Sequence, residues 1–302
     1  MPPHGPQSLR ITDVSLRDGL QNEPRPISKA DKFALALALH EIGVQELEVS
    51  SFVSAKWVPQ LGDAADLFAM LAARKPKGMV YSALVPNMRG MEGLLAVNQA
   101  HAGLIDKASV FTAASETFAQ RNTNASIAET LQRFEPVVES AKAHGLQIRG
   151  YVSTVVACPF EGAISPTAVA AVAERLHSMG CDEIDLGDTI GAANAESIRA
   201  VIDAVAARIG GTGKIVIHLH DTFGRAGECV RAAIARGVHS FDATVAGLGG
   251  CPYAGTPENP APGNIDTRTL LQASRSAGVL DTIVDAALER AATLAQRLVR
   301  GA

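Results

Sequence analysis

Residues 214–226 read KIVIHLHDTFGRA and combine a strand pattern with polar side chains at its end. Side chains of a β-strand alternate between two faces, so His218 and His220 share one face while Leu219 points to the other. The isoleucines of this segment fall on the face of Leu219, which predicts an apolar packing surface there. Two imidazoles on the opposite face, followed directly by Asp221, are an unusual way to build a core.

The same order of a short apolar strand, a polar loop and an alanine-rich helix recurs along the chain. The predicted strands span about 11–16, 46–50, 80–85, 106–111, 148–154, 183–188, 214–220 and 240–246. The predicted helices span about 28–43, 63–73, 90–99, 126–144, 166–179, 194–208, 225–236 and 266–277. Eight strand–helix units in roughly 280 residues match the size of a (β/α)8 barrel, whereas a doubly wound open sheet normally has fewer strands. We therefore predict the α/β class and a (β/α)8 TIM barrel with an additional C-terminal helix at about 281–299.

The chain shows no Pro/Gly-rich linker between these units, so we expect one barrel domain over residues 1–302, with a flexible N-terminus at about 1–10. A hydrophobic fraction of 47% and a charged fraction of 19% are those of an ordinary globular protein. The net charge of −4 argues against a general nucleic-acid binder.

Neither secretion nor membrane insertion is expected. The N-terminal segment MPPHGPQSLR lacks the apolar core of a signal peptide, and no apolar run approaches about 18 residues. The four cysteines show no CxxC spacing, which indicates neither a disulfide framework nor a structural zinc site. A reducing, cytoplasmic location follows as the expectation.

Barrel enzymes hold their active sites at the C-terminal ends of the strands, and several polar residues are predicted to lie there. They are Arg17, Asp18 and Gln21 after the first strand, Glu48 in the second, Asp188 at the end of the sixth, His218, His220 and Asp221 at the end of the seventh, and Cys251 and Asn264 after the eighth. An aspartate, two histidines and an asparagine carbonyl would suit a divalent cation that takes nitrogen and oxygen ligands.

Each of these residues also has a structural interpretation. Strand histidines are often hydrogen-bonded core residues, and Glu48 could be a buried structural carboxylate. Asp188 could be a turn residue. Asp18 could cap the following segment with Arg17 as its ion-pair partner, although adjacent side chains at the end of a strand normally diverge.

The glycine-rich run GLGG, residues 247–250, follows the last predicted strand and does not match a dinucleotide-binding fingerprint, because Pro252 stands where the third glycine belongs. A tight backbone turn is its expected role. Cys251 directly after it could be an inert thiol or, in an active-face loop, a catalytic acid or base.

Seven segments resemble the 3-hydroxy-3-methylglutaryl-CoA (HMG-CoA) lyase family, in the same order and from about residue 11 to residue 264. They are SLRDGLQNE (15–23), SSFVSAKWVPQLGD (50–63), RGYVS (149–153), CPFEGAISP (158–166), SMGCDEIDLGDTIG (178–191), HLHDTFG (218–224) and VAGLGGCPYA (245–254). The run GLGGCPYA is specific to that lyase within the wider DRE-TIM superfamily of metal-dependent barrel lyases and condensing enzymes.

The resemblance implies a metal-dependent carbon–carbon lyase that cleaves HMG-CoA to acetyl-CoA and acetoacetate. The residues it implies as ligands of Mg²⁺ or Mn²⁺ are Asp18, His218, His220 and Asn264. It also implies that Arg17 is the catalytic arginine, that Cys251 is the catalytic-loop cysteine, and that Glu48 and Asp188 are supporting active-site acids. His218 or Cys251 could protonate the enolate, and the sequence does not rank them.

The same resemblance implies an acyl-CoA substrate, a homodimer or larger homo-oligomer, and a place in leucine breakdown and ketone-body formation. Two departures from the family bear on the substrate. The segment GTPENPAP (255–262) is about four residues longer than usual, which leaves Asn264 identified by its Gly-Asn context, with Asn259 as an alternative. Pro24 replaces a residue that is commonly basic. Alternative functions are therefore a lyase for another 3-hydroxy-3-alkylglutaryl-CoA or a citramalyl-type thioester, and a non-catalytic binding module.

Overall fold

The computed structural model describes residues 8–250 and 263–301, in which eight parallel strands close into a barrel. The strands are Arg10–Asp13 (β1), Glu46–Ser51 (β2), Val80–Leu84 (β3), Lys107–Ala113 (β4), Gln147–Ser153 (β5), Glu183–Asp188 (β6), Ile215–Leu219 (β7) and Ser240–Ala243 (β8). Each pairs with its neighbours in the chain, and β8 closes the barrel against β1 with Arg10 opposite Ser240. The predicted (β/α)8 barrel is confirmed.

Ten α-helices of the described residues accompany the strands. They are Lys29–His40 (α1), Ala64–Leu71 (α2), Met88–Ala100 (α3), Glu116–Thr123 (α4), Ile127–Ala143 (α5), Pro166–Met179 (α6), Ala195–Ile209 (α7), Ala226–Ile234 (α8), Thr267–Ser276 (α9) and Asp285–Arg300 (α10). The predicted C-terminal helix is present as α10. Within these ranges no helix is both long and apolar enough to cross a membrane.

Helix α1 illustrates how local sequence determines an element. The side chain of Ser28 accepts a hydrogen bond from the backbone N–H of Asp31, the N-cap arrangement that the sequence predicts. Leu35 and Leu39 lie one turn apart and are fully buried against the barrel. The helix ends at His40, and Gly43 follows with a φ of +91°, which only glycine adopts without strain.

Two elements were not predicted from the sequence. Helix α4 buries only Phe118 and Ala119 within an otherwise polar segment, so its hydrophobic periodicity is too weak to detect. A short antiparallel hairpin, with two residues in each strand, pairs Ala157–Cys158 with Gly162–Ala163 in the segment that leads from β5 to α6. Both additions follow the C-terminal ends of barrel strands, the end at which the polar residues gather.

Charged side chains line the inside of the barrel, where branched apolar residues are usual. Lys107 on β4 is fully buried and donates to Glu46 at 2.5 Å and to Glu183 at 2.7 Å. Arg149 on β5 donates to Thr12 and to Asp242, each at 2.9 Å. These buried cations are paired with carboxylates, as the desolvation of charge requires.

The apolar core lies between the strands and the surrounding helices. Ile215, Ile217 and Leu219 of β7 are buried in this core, as the alternation in the sequence predicts. The opposite face of β7, which includes His218, belongs to the polar interior. The apolar packing that stabilises the barrel therefore lies between its strands and helices, and polar side chains face the inside of the barrel.

Candidate active site

The two histidines of β7 lie together at the C-terminal end of the barrel. His218 is in the strand, and His220, directly after it, forms an antiparallel bridge with Asn264. Both side chains are buried, and the two Nε2 atoms are 3.3 Å apart. The predicted placement of both imidazoles on one face is confirmed.

Asp18 approaches these imidazoles from the segment that follows β1. Residues Ser15–Gly19 form a single π-helical turn, and within it Asp18 Oδ2 lies 3.9 Å from His218 Nε2. One ligand atom from each of Asp18, His218 and His220 falls within 4.8 Å of the other two. Asp18 and the two histidines, which lie about 200 positions further along the sequence, therefore converge on one point.

Asn264 completes this cluster by holding the carboxylate of Asp18. Its Nδ2 donates to Asp18 Oδ2 at 2.8 Å and to the Leu248 carbonyl at 3.0 Å. Since both hydrogens of the amide are engaged, Oδ1 is the atom through which Asn264 would bind a cation.

The glycines near Asn264 make this arrangement possible. Gly249 has a φ of +97°, and a Cβ at this position would lie 2.6 Å from Asn264 Nδ2. A Cβ on Gly263 would lie 2.1 Å from the Gly247 carbonyl oxygen. The predicted tight turn in GLGG therefore brings its backbone close to that of Gly263 and to the side chain of Asn264, and glycine leaves room for both contacts.

The donor set of this cluster fits a divalent metal ion. Two imidazole nitrogens and a carboxylate oxygen face a common point, with an amide beside them, and this mixture of nitrogen and oxygen donors without thiolate suits a divalent metal ion. Asp18, His218 and His220 could therefore hold a cation together with Asn264.

Arg17 is tied to two carboxylates at the edge of the cluster. Its Nε donates to Glu48 at 2.5 Å and its Nη1 to Asp18 at 2.6 Å, and its guanidinium lies 5.4 Å from the ring of Tyr151. The expectation that the side chains of Arg17 and Asp18 diverge was wrong, because the π-helical turn after β1 replaces the alternation of a strand.

The carboxyl of Asp18 has a low pKa although the residue is partly buried. Desolvation would raise the pKa of its carboxyl, but the neighbouring guanidinium of Arg17, the two imidazoles and the hydrogen bond from Asn264 hold that pKa well below its usual range. A persistent negative charge beside two imidazoles is what a cation site requires.

Glu48 and Asp188 differ in their relation to the cluster. Glu48 is fully buried; burial raises the pKa of its carboxyl, and Arg17 opposes that shift. Asp188 accepts the backbone N–H groups of Ala192 and Ala193 with its two oxygens, and burial raises its pKa to about 6. The structure thus places Glu48 against Arg17. Asp188 lies in a turn whose backbone it holds, as the alternative interpretation as a turn residue predicts.

Three buried residues behind the cluster were not singled out from the sequence. Asp242 on β8 lies 3.2 Å from His218 Nδ1, Arg149 donates to Asp242, and the Tyr151 ring packs edge-on against His218. The same alternation that identified the histidines could have identified Asp242, since it lies between Phe241 and Ala243 in an apolar strand.

Two of the predicted positions lie outside the described residues. Cys251 and Asn259 both belong to residues 251–262, as does the whole of the lengthened segment 255–262. The three remaining cysteines, Cys158, Cys181 and Cys229, are buried free thiols.

Comparison with known proteins gives one consistent family. The HMGL-like family model matches residues 8–294. A Pseudomonas aeruginosa protein named 3-hydroxy-3-isohexenylglutaryl-CoA/hydroxy-methylglutaryl-CoA lyase is 44% identical over 266 residues, which are 88% of this chain and 84% of that protein.

Solved structures agree with this match. The HMG-CoA lyase of Brucella melitensis superimposes with a TM-score of 0.91 at 42% identity and covers 97% of this chain and 99% of its own. An HMG-CoA lyase of Acinetobacter baumannii in complex with coenzyme A and 3-methylmalate gives a TM-score of 0.87 at 32% identity, with 97% and 92% covered. Because the match spans the barrel and every strand that supplies the cluster, the chain belongs to the HMGL-like family.

Proposed function

We propose that this chain is an HMG-CoA lyase, a carbon–carbon lyase that cleaves (S)-3-hydroxy-3-methylglutaryl-CoA to acetyl-CoA and acetoacetate. The observation that supports this best is the convergence of Asp18, His218 and His220 beside a buried arginine at the mouth of the barrel. Membership of the HMGL-like family and similarity to relatives named as HMG-CoA lyases also support this activity.

We propose Mg²⁺ or Mn²⁺ as the cation, with Asp18, His218, His220 and Asn264 as its ligands. A divalent ion in this position would act as a Lewis acid toward the C3 hydroxyl and the free carboxylate of the substrate. The protein supplies the carboxylate of Asp18, whose pKa is held well below its usual range, and two imidazoles whose Nε2 atoms are 3.3 Å apart.

Cleavage removes the proton of the C3 hydroxyl, and the C2–C3 bonding electrons pass to C2, which becomes the enolate of acetyl-CoA. C3 becomes the ketone carbon of acetoacetate. Arg17 presents Nη2, the nitrogen not used toward Glu48 or Asp18, to the thioester oxygen on which the enolate charge develops. Such a donor contributes about 3 kcal/mol to transition-state stabilisation.

Protonation of the enolate carbon ends the reaction. The proposed donors are Cys251 and His218, and His218 can act as a donor only in a state in which its Nε2 carries a proton and does not bind the cation. Glu48 acts by holding Arg17, whose Nε donates to its carboxylate in the barrel interior. Asp188 acts as a supporting acid by organising the 188–193 turn next to the histidines.

A second substrate has specific support. The relative from Pseudomonas aeruginosa that is 44% identical is named for 3-hydroxy-3-isohexenylglutaryl-CoA as well as for the methyl substrate. The segment before Asn264 is also longer here than is usual in the family. A longer 3-alkyl group on the same glutaryl-CoA skeleton is therefore the alternative substrate.

An assay of the purified protein with Mg²⁺ tests both proposals. We expect acetoacetate from HMG-CoA, measured by an enzyme-linked assay, and the ratio of kcat/KM for the methyl and isohexenyl substrates assigns the preference. If neither thioester releases acetyl-CoA, the HMG-CoA lyase proposal is wrong, and a lyase for a citramalyl-type thioester or a non-catalytic barrel remains.

We further propose that residues 1–302 form one domain, that the protein acts on acyl-CoA as a homodimer or larger homo-oligomer, and that it works in the cytoplasm in leucine breakdown and ketone-body formation. The substrate class, the assembly and the pathway rest on the family resemblance, whereas the single domain rests on the lack of a Pro/Gly-rich linker and the cytoplasmic location on the cysteine spacing and the N-terminal sequence. Light scattering of the purified protein measures the oligomeric state directly, and a monomer would contradict the assembly proposed.

A further inference from the structure

Asp242 lies directly behind His218, on the side away from the proposed cation. Its Oδ2 is 3.2 Å from His218 Nδ1, and the Nε2 atom of the same ring faces His220 at 3.3 Å and Asp18 at 3.9 Å. Asp242 is on β8 and is buried, so its carboxylate belongs to the polar interior of the barrel.

The hydrogen bond to Asp242 determines where His218 holds its hydrogen. A carboxylate only accepts hydrogen bonds, so the Nδ1 atom that faces it must donate. In the neutral imidazole the lone pair is then on Nε2, the atom that faces Asp18 and His220. Asp242 therefore selects the tautomer of His218 that can ligate a cation.

Asp242 is itself held from other strands. Arg149 on β5 donates to Asp242 Oδ1 at 2.9 Å, and the Tyr151 hydroxyl donates to Asp242 Oδ2 at 3.3 Å. Arg149 also donates to Thr12 of β1 across the barrel at 2.9 Å. The carboxylate that orients His218 is thus fixed by β1, β5 and β8 together.

We propose that Asp242 is a positioning residue that fixes the ring orientation and the Nδ1–H tautomer of His218, with Arg149 holding Asp242 in register. The proposal deepens the proposed function and rests on it only in assigning a divalent cation to Asp18, His218 and His220. Carboxylate–histidine–metal arrangements of this kind tune metal affinity in other proteins.

A competing interpretation is that Asp242 ligates a second metal ion. Ligand atoms of Asp185, His218 and Asp242 also lie within 4.8 Å of one another. Arg149 Nη1, however, lies 2.9 Å from Asp242 and 3.7 Å from Asp185. A guanidinium already supplies the positive charge at this position, and a second cation there would be repelled by it.

The substitution Asp242→Asn tests whether Asp242 sets the tautomer of His218 or only fills space beside it. Arg149 needs an acceptor, so the amide oxygen of the asparagine should turn toward Arg149 and its NH₂ group toward His218 Nδ1. That arrangement forces the hydrogen of His218 onto Nε2, the atom that must ligate the cation. The variant keeps the shape of the side chain while reversing the tautomer.

The experiment has two readouts that need no substrate. Long-range ¹H–¹⁵N correlation spectra of the metal-free protein at alkaline pH report the His218 tautomer, with His218→Gln to assign its signals. Mn²⁺ titration followed by electron paramagnetic resonance reports the affinity. We expect Nδ1–H in the wild type, Nε2–H in Asp242→Asn, and a Kd for Mn²⁺ that is about 10- to 100-fold higher in the variant.

Asp106→Asn is the matched control, because it also removes one carboxylate that pairs with a cationic side chain, that of Lys75, but Asp106 lies directly before the first residue of β4. Its Mn²⁺ affinity should stay within about twofold of wild type. An unchanged affinity in Asp242→Asn, or an Nε2–H tautomer in the wild type, overturns the proposal. The wild-type spectrum decides the matter even if the variant does not fold. A wild type that fails to cleave HMG-CoA would refute the proposed function and leave both readouts valid.

Discussion

At the scale of single residues, Arg17 links the parts of the site. It donates to Glu48 through Nε and to Asp18 through Nη1, and it stands over the Tyr151 ring. Burial opposes its charge, but the neighbouring carboxylates of Glu48 and Asp18 raise the pKa of the guanidinium well above its usual range. A planar fork can make both contacts and still present a third nitrogen, whereas an ammonium cannot.

Arg17→Lys should therefore lower kcat by about 100-fold or more, the loss typical of one transition-state donor, because a single ammonium cannot reach Glu48, Asp18 and the thioester oxygen together. Mn²⁺ affinity should change much less, since the ligand atoms remain. Steady-state kinetics with a parallel Mn²⁺ titration checks this. Arg208→Lys, in an exposed pair with Glu174, is the control. A kcat within threefold of wild type would rule out the role given to Arg17.

Asp13 gives a prediction on stability and pH. Its carboxyl is fully buried, and burial raises its pKa from 3.8 to about 7, against a hydrogen bond from Ser15. The folded protein thus keeps this proton up to about pH 7, while the unfolded chain releases it near 3.8. The contribution of Asp13 to stability is full below pH 3.8 and is lost as the pH rises to 7.

Asp13→Asn removes that titration. Relative to wild type, the variant should gain up to about 4 kcal/mol in free energy of unfolding between pH 4 and pH 8, at about 1.4 kcal/mol per pKa unit. Urea unfolding of both proteins across this range measures the difference. A difference that does not vary with pH would show that Asp13 is ionised throughout.

At the scale of elements, the interior of the barrel explains how polar groups stay fixed behind the site. Lys107→Met should lower the free energy of unfolding by about 3–5 kcal/mol, because Glu46 would keep only its 3.5 Å contact to Arg149 in a buried setting. Lys29→Met, which breaks an exposed pair with Asp66, should lower the free energy of unfolding far less, because solvent screens that pair. Urea unfolding distinguishes the two, and equal losses would mean that the interior charges are not energetically paired.

The loop after β8 gives a second prediction at this scale. Gly249→Ala should weaken Mn²⁺ binding about tenfold or more, because its Cβ would meet Asn264 Nδ2 at 2.6 Å and displace a proposed ligand. Gly278→Ala shares a positive φ, +77°, but its Cβ would meet no atom of the described residues within 4 Å. If both variants bind Mn²⁺ equally well, Gly249 is needed for the turn alone.

The strands and most helices could be predicted because each carries its own periodicity. The π-helical turn at Ser15–Gly19 could not, since no local pattern distinguishes it from the end of a strand, and it decides that Arg17 and Asp18 meet. Helix α4 and the 157–163 hairpin escaped prediction because they bury too few apolar residues to show a period.

At the scale of the whole molecule, the barrel converts sequence positions into a site. Asp18, His218 and His220 could be placed at one mouth because each lies at the C-terminal end of a predicted strand, and strand parity put the two histidines on one face. The distances between them could not, because they depend on the register by which β1, β8 and β7 pair. Asp242 and Arg149 escaped notice because buried charge is unusual inside such a barrel, and only the closed structure shows how the charges pair.

The central claim is that one divalent cation at Asp18, His218 and His220 makes this barrel a lyase. The most direct test titrates Mn²⁺ into metal-stripped protein and follows bound metal and acetoacetate formation from HMG-CoA in the same samples. We predict one ion per chain, a rate that rises in proportion to occupancy, and a folded His220→Ala variant that loses both. A full rate in metal-free protein, or an active His220→Ala, would contradict the account.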